Sequence, residues 1–114
     1  MTKIRNKVQL IGNLGRDPEM KEMDHGRKMV KCTLAINDYY RDHNGETKQK
    51  TYWHHLVAWG PTAERMAKKL RKGSELAVEG QLVSRQYEAQ GQKKYITEVQ
   101  VDDFIKLNKE EAAF

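Results

Sequence analysis

Long apolar stretches are missing from this sequence. Runs such as Leu56-Val57-Ala58-Trp59 span only a few residues, whereas a helix that crosses a bilayer needs about 20. Met1 to Gln9 mixes charged with apolar side chains, so no secretory leader is read there and a cytoplasmic, nucleoid-associated location is expected, with no membrane partner. A single cysteine, Cys32, allows no internal disulfide, and four scattered histidines supply no zinc-ligand spacing beside it. No metal and no cofactor are expected. Nothing next to Cys32 in sequence would activate it as a nucleophile, so it reads as a buried core thiol. A glycine-rich phosphate cradle and a GxSxG elbow are both absent.

What the sequence does hold is an excess of positive charge. Lys and Arg number 21 against 16 Asp and Glu, a formal charge of +5, with a pI of about 9.3; this favours a polyanionic partner or an anionic membrane surface. The 114 residues suffice for one domain burying roughly two-thirds of its unfolded surface.

Period-two alternation marks the strands. Val30, Cys32, Leu34 and Ile36 alternate with Lys31, Thr33, Ala35 and Asn37, as a half-buried strand requires. Val8 and Leu10 ahead of Gly12 give a first strand, in which Ile11 breaks the alternation and is expected beneath a second layer. Thr51 to Trp59 is aromatic and β-branched and stops at Gly60-Pro61. Ser74 to Tyr87 is long for one strand, and Gly80 in its middle predicts a bend or bulge. Lys94 to Val101 alternates again. Asn44-Gly45 and Ala89-Gln90-Gly91 predict hairpins between the second and third and between the fourth and fifth strands.

One helix is predicted from Pro61 to about Lys72, with Gly73 behind it. Ala63, Met66, Ala67 and Leu70 form its apolar stripe, while Arg65, Lys68, Lys69, Arg71 and Lys72 make a cationic face that a purely solvated role would also explain. The order is three strands, a helix and two strands, with a charged stretch from Asp17 to Lys28 after the first strand. The expected fold is all-β: a five-stranded Greek-key barrel of OB type with one helix between strands 3 and 4.

In the third strand Trp53, His55, Val57 and Trp59 share one face, and Tyr52, His54, Leu56 and Ala58 the other. Leu56 and Ala58 have the sizes that fill a narrow barrel, which predicts the two tryptophans on the outside. Packing of those rings under a loop or a partner subunit is the competing reading. Aromatics also lie beside cations at Tyr39-Tyr40-Arg41, at Arg85 before Tyr87 and at Lys93-Lys94-Tyr95. Rings stack on unpaired bases while cations neutralise phosphates, so this interleaving on β-structure points to single-stranded nucleic acid. A metal-dependent nuclease built from His54-His55 and Asp102-Asp103 is disfavoured, because adjacent strand residues point to opposite faces.

Asn6-Lys7-Val8, Gly12-Asn13-Leu14-Gly15-Arg16-Asp17-Pro18-Glu19, Trp53-His54, Leu70-Arg71-Lys72-Gly73-Ser74 and Val78-Glu79-Gly80-Gln81-Leu82 resemble, in order and spacing, the motifs of bacterial single-stranded DNA-binding proteins of the homotetrameric OB-fold type. The resemblance runs from about residue 3 to 107. It implies a binding domain over residues 1–107, a short tail over 108–114, and no enzymatic activity. It also implies stacking residues at Tyr40, Trp53, Trp59 and Tyr87, with Tyr39 facing the opposite way from Tyr40. By the same positions Lys7, Lys21, Lys48, Lys72 and Arg85 are expected phosphate contacts, and His54 lies near a subunit contact.

The sequence departs from that pattern at His55, Pro61 and Val83, where a basic residue is expected, and either weaker binding per protomer or an altered strand path is expected from this. Its end, Glu110-Glu111-Ala112-Ala113-Phe114, lacks the usual linker and acidic Pro-Phe tip, which leaves recruitment of replication and repair proteins open. The implied function is sequence-independent binding and protection of single-stranded DNA in replication, recombination and repair. An accessory protein bridging single strands and replication proteins is the alternative, and an RNA target stays open because neither stacking nor phosphate contacts read the sugar.

Overall fold

The computed structural model describes residues 5–107; the tail expected at 108–114 lies outside them. The described chain forms six strands and one α-helix: β1 (Val8–Leu14), β2 (Glu19–Glu22), β3 (Lys28–Arg41), β4 (Thr47–Trp59), α1 (Gly60–Lys69), β5 (Glu75–Ala89) and β6 (Gln92–Leu107), with a 3-10 turn at Asp24–Gly26 between β2 and β3. The sheet order is β1-β5-β6-β4-β3-β2, and an additional β1–β3 pairing closes five of these strands into a barrel. Neighbours are antiparallel except β4 and β6, which meet in parallel at Leu56↔Val99 and Val57↔Gln100. This is the Greek-key barrel that the sequence predicts, with α1 between its third and fourth strands.

The short β2 is an addition. Glu19–Glu22 pairs with Lys28–Lys31 along the outer side of β3 and buries none of its side chains, so it has no hydrophobic period by which its sequence could announce it.

Leu34, Leu56, Met66, Leu70, Leu76, Val30 and Val99 are fully buried. They come from β3, β4, β5, β6 and the apolar stripe of α1 with its following residue, so the helix plugs one end of the barrel. Cys32 is buried among them, and desolvation pushes its thiol up to about 12, which makes it an inert core group. Ile11 differs from expectation: it stands 58% exposed on the outside of β1 rather than beneath a second layer.

Several of the sequence motifs hold the ends of strands together. The Asn6 amide donates to the Leu82 carbonyl and accepts from the Leu82 N–H, both at 3.1 Å, tying the residues just ahead of β1 to β5. Asn13 Nδ2 donates to the Gly73 carbonyl at 3.1 Å, the Gly73 N–H donates to Leu14 O at 2.9 Å, and the Lys72 N–H donates to Asp17 Oδ1 at 2.7 Å. The β1 end and the turn after α1 are thereby one unit. At the β3–β4 tip Asp42 Oδ1 accepts from the N–H groups of Asn44 and Glu46. Gln90 and Gly91 both take positive φ, 54° and 76°, the conformation of a tight two-residue hairpin.

Candidate nucleic-acid interface

The β3–β4 ladder runs in unbroken register from Met29↔Trp59 to Arg41↔Thr47. Because paired residues share a face and alternate residues change it, two distinct surfaces follow. The inner one carries Val30, Cys32, Leu34, Leu56 and Ala58, all buried. The outer one carries Met29, Lys31, Thr33 and Ala35 opposite Trp59, Val57, His55 and Trp53. It continues across Val57↔Gln100 onto β6 and β5, where Val83, Arg85 and Tyr87 pair with Glu98, Ile96 and Lys94.

Trp53 is the most open of the two indoles, at 59% exposure. It rests on the chain at Gly15: a Cβ there would lie 2.6 Å from Trp53 Cζ3 and 2.9 Å from Thr33 Oγ1, so the absence of a side chain lets the ring lie down. Trp59 is half-buried rather than fully outward, and the Arg27 guanidinium sits 4.3 Å from its ring centroid in a cation–π contact. Tyr87 is 40% exposed and lies two residues beyond Arg85 on the same face.

The structure brings Lys21 to Trp59 by a route that the sequence concealed. Lys21 pairs with Met29 and Met29 with Trp59, so β2 sets this lysine in the same cross-strand row as the indole. Arg85 and Trp59 line one cleft of about 280 Å³ together with Lys31, Val57, Glu98 and Gln100. Arg85 Nε donates to Glu98 Oε1 at 2.9 Å and its Nη2 to Oε2 at 3.3 Å. Hydrogen bonding to Glu98 holds the guanidinium charged beyond its ordinary range. Val83, one of the departures from the expected basic positions, pairs with Glu98 and lines this cleft.

Other expected residues are not gathered here. Tyr40 pairs with Lys48 on the face of the ribbon that carries Tyr52, whereas Tyr39, 66% exposed, falls on the Trp53 face. Lys50 Nζ stands 5.2 Å from the Tyr52 ring centroid, so both faces of the ribbon hold aromatic and cationic groups. Lys48 lies near the ribbon tip, 3.9 Å from Asp42. Lys7 sits on the β1–β5 wall with Glu79 at 3.2 Å, and the Lys72 side chain is exposed after the helix. His54 is half-buried opposite Leu34.

Three neighbours of the tryptophans escaped the sequence reading as site residues. Lys31 was legible as an outward residue of an alternating strand; Arg27 and Glu98 carried no such signal, one lying in the irregular charged stretch and the other looking like any polar strand position. Among the described residues no group of three or more His, Cys, Asp or Glu side chains is arranged to hold a metal ion, and no helix is long and apolar enough to cross a membrane.

The chain is similar to Single-stranded DNA-binding protein 1 of Chlorobaculum tepidum, with 40% identity over 104 residues that make up 90% of this chain and 64% of that protein. It therefore spans a little under two-thirds of that relative's length. Among solved structures it resembles the Plasmodium falciparum SSB in complex with ssDNA, at TM-score 0.81 and 35% identity, covering 95% of this chain and 99% of that one. A deletion mutant of the single-stranded DNA binding protein from Thermus aquaticus matches at TM-score 0.79 and 32% identity, over 91% of this chain and 51% of the other. The family model for single-strand binding proteins matches residues 5–107, the whole of the barrel just described, and the chain belongs to the single-strand binding protein family.

Proposed function

We propose that this chain binds single-stranded DNA without sequence preference and without enzymatic activity, protecting it in the cytoplasm during replication, recombination and repair. The observation that carries this reading is one continuous outer face on which Trp53, Trp59 and Tyr87 lie among Arg27, Lys31, Lys21 and Arg85. Bases stack on the rings and phosphates meet the cations, and neither contact depends on base identity. Tyr40, Lys48, Lys7 and Lys72 lie elsewhere on the protomer, so a strand touching all of them has to leave the Trp53 face and wrap.

Wrapping suits a homotetramer. Exposed Ile11 and Ile105, at 58% and 65%, flank a cleft on the β1–β5–β6 wall, separate from the tryptophan face. The stretch of that wall around Ile11 and Ile105 is the surface proposed for protomer association, with His54 as a further contact and Lys7, ahead of β1, left to the DNA strand. Four protomers at +5 each carry +20.

Titration with oligo-dT is expected to quench tryptophan emission, with log affinity falling against log salt by about 0.7 per phosphate neutralised. Duplex DNA of the same length should compete poorly. Unchanged emission together with no binding would reject the proposed surface. A smaller effect follows from the support beneath Trp53. Gly15→Ala pushes its methyl into the ring and is expected to weaken oligo-dT binding by about threefold, less than loss of the whole stack; affinity equal to the unsubstituted protein would show that the ring's seat is irrelevant.

A further inference from the structure

Glu98 is the sole buried charged residue among those described, at 4% exposure, and it lies on the face proposed to receive a polyanion. A carboxylate at that place repels phosphate, and a buried ion is costly to keep unless it is paired. Its partner is Arg85, which reaches diagonally from β5 because Glu98 pairs with Val83 and Arg85 with Ile96. Both carboxylate oxygens accept from one edge of the guanidinium, Nε and Nη2. Of the five donors on an arginine, two are thus engaged and three remain. The Arg85 side chain stays 44% exposed, with Tyr87 two residues along the same face and Trp59 lining the same cleft.

We infer that Glu98 is a positioning residue for strand binding: it fixes the Arg85 fork so that its free donors present to a phosphate between the bases held at Trp59 and Tyr87. An unanchored arginine must surrender its rotamer freedom when the strand arrives, whereas here that ordering is complete beforehand. The consequence runs against simple charge counting. Removing this negative charge from a cationic face weakens binding to a polyanion. The inference rests on Arg85 being a strand contact, as the proposed function has it.

Glu98→Gln keeps the size of the side chain and removes its charge. It is expected to bind oligo-dT about fivefold more weakly, with the salt slope reduced by about 0.7, the share of one phosphate contact. Arg85→Ala should show the same loss of slope. In the Arg85→Ala background Glu98→Gln should bind equally or more tightly, because only the repulsion is left to remove. Glu98→Asp retains the charge but shortens the arm, and it too should weaken binding. Thermal midpoints are measured alongside. Glu98→Gln or Glu98→Asp binding as well as or better than the unsubstituted protein overturns the inference, and so does weaker binding with a lowered midpoint but an unchanged salt slope. If Arg85→Ala leaves affinity and slope unaltered while the unsubstituted protein binds, Arg85 is no contact and the inference alone fails. If the unsubstituted protein does not bind oligo-dT, the functional reading fails and takes the inference with it.

Discussion

Replacing Trp53 with alanine is expected to weaken oligo-dT binding by about 5- to 150-fold, the equivalent of about 1 to 3 kcal/mol for one lost base stack. Trp53 is chosen over Trp59 because its ring is 59% exposed, whereas Arg27 already occupies the neighbourhood of the Trp59 ring at 4.3 Å. An exposed ring contributes little to folding, so the thermal midpoint should move only slightly while affinity falls. The chain has two tryptophans, and the quench that remains in Trp53→Ala reports Trp59 alone. Affinity within twofold of the unsubstituted protein would mean that the strand avoids the open end of β4, and the proposed face would have to be abandoned.

The strands that build this face could be read because their chemistry alternates. In β4 the small, apolar Leu56 and Ala58 demanded an interior, which forced Trp53 and Trp59 to the other side; both former residues are buried. Alternation fails where a strand buries nothing. Glu19–Glu22 is exposed at every position yet carries Lys21 to the level of Trp59, and only the β2–β3 pairing reveals it. Alternation also specifies parity without specifying cover. Val57 shares the outer face with the tryptophans but is only 5% exposed, because the cleft beside Lys31, Glu98 and Arg85 closes around it.

The tyrosine pair shows the opposite limit. Adjacent positions on a strand must face apart, and choosing between Tyr39 and Tyr40 requires the register. The β3–β4 ladder puts Tyr39 with Trp53 and Tyr40 with Lys48 and Tyr52. Asn6, Asn13 and Asp17, in contrast, stood out in the sequence as parts of motifs, and their side chains are spent on backbone groups of Leu82, Gly73 and Lys72. Those motif positions fasten the barrel that displays the rings.

Gly80→Ala is expected to cost about 3 kcal/mol or more of folding stability, seen as a fall in thermal midpoint of about 12 °C or more. A Cβ at this position would overlap the Gln100 carbonyl oxygen, and would lie 2.9 Å from its carbon and 3.1 Å from Val101 Cα. All three are backbone atoms, so no side chain can swing aside; β5 and β6 have to separate. The site coincides with the register shift between Glu79 and Gly80, beyond which β5 leaves its pairing with β1 at Val8↔Gly80 and carries Arg85 and Tyr87 onto the tryptophan face. A disturbance here therefore reaches binding as well as folding. Saturating oligo-dT should raise the midpoint of Gly80→Ala by less than that of the unsubstituted protein, since a ligand stabilises in proportion to its affinity for the folded form. A midpoint within about 4 °C of the unsubstituted protein, the equivalent of about 1 kcal/mol, would show that the two strands yield at this point and that the close approach is not what requires glycine.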